Sequence, residues 1–97
     1  MVELIIKRTI IESETERIDL NLWKVPIDKN YPEGVKYSIN YRELVNNKWM
    51  DKIRIDNKKR EGHHLHFLKQ KKPYAFSSFE NALQDLKQLI EKSKGEK

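Results

Sequence analysis

The chain has 97 residues, of which 37% are hydrophobic and 36% charged, with no cysteine and a net charge of +5. That length suits one domain with a single apolar layer and leaves little room for a deep enclosed pocket. The absence of cysteine excludes disulfides and thiolate metal sites, no uncharged apolar run reaches the roughly 18 residues of a membrane span, and residues 1–6 lack the basic region and cleavage site of a signal peptide, so the expectation is one soluble, cytoplasmic domain over residues 1–97 with no membrane partner.

Residues 2–11 are rich in Val, Ile and Leu and read as a strand, followed by a polar turn at 12–16. Ile18, Leu20 and Leu22 alternate with Asp19, Asn21 and Trp23, the period of a strand with one buried face. Residues 26–34 (PIDKNYPEG) are a loop by composition. Val35, Tyr37, Ile39 and Tyr41 form the next alternating face, and Asn46-Asn47 is a tight hairpin turn, because Asn tolerates positive φ. Trp49, Ile53 and Ile55 mark a fourth strand and residues 63–68 a fifth, closed by the basic connector 69–72 and Pro73. Ser77-Ser78-Phe79-Glu80 fits a capping box. Phe79, Ala82, Leu83, Leu86, Leu89 and Ile90 then recur at helical spacing. The expected fold is α+β: an antiparallel sheet of about five strands over residues 2–68, one C-terminal helix over about 78–92 packed on one face, and a frayed tail at 93–97. Trp23, Trp49, Tyr37 and Tyr41 are expected in the core of so small a sheet, although tryptophan can also stack bases.

Charge is concentrated. Residues 48–72 carry nine Lys and Arg against three acids, a net +6, and the remainder of the chain sums to −1. Such a segment suits a polyanion or an acidic protein, and equally the solvated face of a lysine-rich domain.

All three histidines fall in that segment. On a strand His64 and His66 project to one face while His63, Leu65 and Phe67 point to the other. With Leu65 and Phe67 packed on the helix, the pair is expected to face solvent, with Asp56 close across the hairpin. Two imidazoles titrating near neutrality supply a proton acceptor and a proton donor. A carboxylate can orient one ring and favour its charged form, and Arg54, Lys58, Lys59 and Arg60 can hold a phosphodiester. Together they outline a metal-independent ribonuclease. Two other readings stay open at this point: a metal site built from His-x-His and Asp, and plain polar residues at a sheet edge.

The string DNKKREGHHLHFLKQKKPYAF, followed by SSFENALQDL, resembles the C-terminal half of the TumE-like toxins of toxin–antitoxin pairs. The family's Asp-Asn pair falls on Asp56 and Asn57, its loop glycine on Gly62, its His-x-His on His64 and His66, and its Pro-Tyr-x-Phe on Pro73, Tyr74 and Phe76. The first half agrees more loosely, through Trp23 and the Tyr37/Tyr41 strand. Two positions depart from the pattern: His63 stands where an acid is usual, and residues 58–60 are more basic than glycine-rich. The resemblance implies a toxin neutralised by a cognate antitoxin, with RNA as a target.

The sequence therefore assigns His64, His66 and Asp56 to catalysis, and Arg54, Asn57, Lys58, Lys59 and Arg60 to nucleic-acid binding, with no metal and no cofactor. An uncovered sheet edge would serve a homodimer or antitoxin docking by strand addition. The contrasting class is a non-catalytic basic module that binds nucleic acid or a protein.

Overall fold

A computed structural model describes residues 2–58 and 62–95. Its strands are β1 (Glu3–Ser13), β2 (Glu16–Lys24), β3 (Val35–Val45), β4 (Lys48–Lys58), β5 (Gly62–Phe67) and β6 (Gln70–Pro73), followed by helix α1 (Phe79–Gly95). The strands form one sheet in sequence order, every neighbour antiparallel. The architecture is the expected α+β sheet with one covering helix, extended by a sixth strand.

The alternating apolar positions decide which face the helix covers. Ile18, Leu20, Tyr37, Ile39, Tyr41, Ile53 and Ile55 project from β2, β3 and β4 and meet Ala82, Leu86 and Ile90 of α1 in one buried cluster. Burying such side chains drives the two layers together at roughly 25 cal/mol per Å² of apolar surface. Tyr41 keeps its hydroxyl satisfied inside this layer by sharing its one proton between Glu16 and Glu43. The tyrosines are core, as expected. The tryptophans are not: Trp23 and Trp49 lie on the opposite face, outside the cluster, and Trp49 is 36% exposed.

Turn chemistry agrees with the sequence at one hairpin and departs from it at another. Asn46 and Asn47 both have positive φ (51° and 64°) between the paired residues Val45 and Lys48. The connector at 69–72 instead contributes β6, after a turn in which Leu68 takes φ 57°. A leucine in the left-handed region is unfavourable, so nothing in the sequence announces this hairpin. The helix cap also moves by one residue: Ser78, not Ser77, accepts from the backbone of Asn81, while the Asn81 amide donates to Ser77. The helix runs on to Gly95, past the expected 92, and Lys94 in its last turn pairs with Glu16 of β2 at 2.7 Å. The segment before the helix is a clip, in which the Tyr74 hydroxyl donates to Asp85 and Phe76 stacks on Tyr37. No helix among the described residues is long and apolar enough to cross a membrane.

Candidate active site

Strand register turns the face away from α1, the open face, into a grid. One row runs Lys7, Asn21, Ser38, Asp56, His64, Pro73 across the six strands, and the next runs Thr9, Asp19, Asn40, Arg54, His66, Lys71. Residues two apart on a strand lie on one face about 7 Å apart. Pairing Asp56 with His64 and Arg54 with His66 therefore makes a square of four ionisable side chains on β4 and β5.

Contacts inside the square are close. Arg54 Nη2 lies 3.2 Å from His66 Nε2, and Arg54 Nε lies 3.2 Å from Asp56 Oδ2. His64 Nε2 stands 3.9 Å from Asp56 Oδ1, and the two imidazoles have centroids 5.4 Å apart. A guanidinium has donors and no acceptor, so His66 Nε2 must accept and the His66 proton sits on Nδ1. Burial, helped by the Arg54 charge, holds the His66 pKa below its ordinary 6.5, which agrees with a neutral ring. Asp56 Oδ1 is buried without a hydrogen-bond partner, as is Asn40 Oδ1 beside Arg54 in the second row. Buried unpaired acceptors are costly, and here they gather around the histidine pair.

Exposure corrects one expectation. His66 is partly exposed, but His64 is only 4% exposed. The cause is β6: with Pro73 paired beside His64, β5 is an interior strand and not the sheet edge.

Other candidates separate. Asn57 is 4% exposed on the helix side, where Oδ1 accepts from Tyr37 N at 2.8 Å and Nδ2 donates to Val35 O at 2.7 Å. Both ends of its amide are engaged in joining β4 to β3, so it is not a surface contact. His63 also turns to that side: Nδ1 bonds the Tyr37 hydroxyl at 2.9 Å, Nε2 meets Glu33 at 3.1 Å, and the ring stacks on Phe76. Lys59 and Arg60 lie outside the described residues, as does the side chain of Lys58. The sequence reading passed over the cations that share the open face with the square, namely Lys7, Arg17, Lys36 and Arg42. Their strand parity was the available signal.

Asp56, His64 and His66 offer ligand atoms within 4.8 Å of one another, a spacing that a cation could bridge. Against this, the Arg54 guanidinium already sits against both Asp56 and His66, and its positive charge opposes a second cation.

A family model described as Toxin TumE matches residues 3–94. No curated protein and no solved structure matches the chain.

Proposed function

The chain belongs to the TumE toxin family, the toxin half of a toxin–antitoxin pair whose partner is a cognate antitoxin, and from that premise we propose that it cleaves RNA by acid/base catalysis at His64 and His66. The observation that carries this is the square itself, with two imidazoles 5.4 Å apart, one beside a carboxylate and one beside a guanidinium.

In the proposed reaction a phosphate of single-stranded RNA draws Arg54 onto its oxygens, which releases His66 Nε2 as a proton acceptor. His66 takes the proton of the ribose 2′-hydroxyl, and the 2′-oxygen attacks phosphorus. The bond from phosphorus to the 5′-oxygen breaks, and that oxygen takes a proton from His64, which stands 3.9 Å from Asp56. A 2′,3′-cyclic phosphate and a 5′-hydroxyl result. Arg54, with Lys58 at the end of β4 and with Lys59 and Arg60, balances charge on the phosphate. The Asn57 side chain, engaged with β3, is left out of the proposed contacts.

Purified protein should therefore cut single-stranded RNA in the presence of a chelator and leave cyclic phosphate ends. Growth arrest undiminished by the double alanine variant of His64 and His66 would remove the catalytic assignment. Activity that chelator abolishes and added divalent metal restores would favour the cation-bridged reading of Asp56, His64 and His66. RNA bound without cleavage would leave a basic binding module. Antitoxin docking or self-association is proposed at β1 or β6, the two outer strands of the sheet.

A further inference from the structure

Trp23 is one of two tryptophans in the chain, and its surroundings differ from those of the other. The ring of Trp49 is covered by Arg17, whose guanidinium carbon lies 4.4 Å from the centroid. Among the described residues no ring or cation packs on Trp23 or Tyr31. Both side chains line one open cleft of about 520 Å³, together with Lys36, Ser38, Arg54 and Asp56. That cleft adjoins the histidine square, because Arg54 and Asp56 belong to both.

Tyr31 is held in place by its loop. Asp28 Oδ1 accepts from the backbone of Asn30 (2.7 Å) and Tyr31 (3.0 Å), and Gly34 N donates to Tyr31 O at 2.9 Å. Gly34 takes φ +73°, and a Cβ there would meet Ile27 at 2.9 Å, so the loop geometry depends on glycine. Lys36 pairs across the strands with Trp23 and stands exposed at the cleft.

We infer that this cleft is a nucleobase subsite: the base next to the cleaved phosphodiester stacks on Trp23 and Tyr31 while Lys36 meets the neighbouring phosphate. The inference rests on the RNA reading above and sharpens it. A base stacked on protein must be free of its strand neighbours and partner, so the substrate is single-stranded RNA, and duplex regions are excluded from the site. The stack is tolerant of base identity, because every base offers a π face.

The test uses the full-length Trp49→Phe, His64→Gln protein, in which Trp23 is the sole fluorophore of its kind and the RNA stays uncut. Titration with a dye-labelled single-stranded oligoribonucleotide reads total binding by anisotropy and stacking by quenching of Trp23. The expected result is binding with quenching, weakened on the order of tenfold by Tyr31→Ala, largely retained by Tyr31→Phe, and not matched by a duplex of the same sequence. Anisotropy change with unquenched Trp23 and no effect of Tyr31→Ala overturns the subsite and leaves the RNA reading standing. Quenching with equal affinity for the duplex also overturns it. No anisotropy change at low salt sinks the RNA reading and the subsite with it.

Discussion

Arg54 donates to Nε2 of His66 across 3.2 Å, joining adjacent strands through a hydrogen bond that only a neutral imidazole can accept. The same guanidinium touches Asp56, so one side chain adds to the burial that holds the His66 pKa down and partly screens the carboxylate that faces His64.

Replacing Arg54 with Gln should therefore raise the His66 pKa toward 6.5. Recovery should be partial, because burial, the larger cause of the depression, remains. Imidazole NMR shifts followed against pH measure it. A midpoint that stays put would show that Arg54 has no hold on the ring.

His64→Gln and His66→Gln should each reduce RNA cleavage by about 10²- to 10⁴-fold, the usual contribution of a positioned acid or base. Far-UV circular dichroism and urea midpoints should stay near those of the parent protein, although the buried His64 site is the more sensitive of the two. Loss of activity that merely tracks loss of fold would assign these residues to structure.

Stability should fall as pH drops below 6.5. With a lowered folded-state pKa at His66, the unfolded chain takes up that proton first, so the contribution is complete above 6.5 and declines beneath it. His66→Gln should flatten that part of the curve. Glu16, lowered from 4.5 chiefly by Lys94 and next by the Tyr41 hydroxyl, acts in a separate window below 4.5. Denaturant unfolding at stepped pH distinguishes the two; an unchanged slope between pH 5 and 6.5 in His66→Gln would contradict the assignment.

Asn57→Ala should destabilise by about 1–3 kcal/mol, since it strands Tyr37 N and Val35 O without their partners. RNA affinity per folded molecule should not change. A variant that folds normally but binds RNA poorly would return Asn57 to the interface.

Leu86→Ala, which removes a fully buried side chain of α1, should cost about 2–5 kcal/mol. Urea unfolding gives the value, and a cost below 1 kcal/mol would mean that the helix is not held as described.

Local pattern settles what each residue can say alone. Alternation in β2 and β3 marked Ile18, Leu20, Tyr37, Ile39 and Tyr41 as an inner face, Asn46-Asn47 marked a hairpin, and helical spacing marked Ala82, Leu86 and Ile90, because these signals depend on backbone geometry within a few residues. Parity likewise put His64 with His66 and opposite His63, and the motif residues from Asp56 to Phe76 pointed to the family. What a strand meets across the sheet follows from register and from which segments pair, and these are decided by the fold as a whole. Only there did β6 emerge from a turn that places a leucine at positive φ, leaving His64 4% exposed; only there did Asn57 turn inward to clasp β3, and Trp23 come to line a cleft shared with Arg54. A sequence lists the groups that can carry charge or stack, but desolvation and distance, which set what those groups do, exist only once distant strands have been brought side by side.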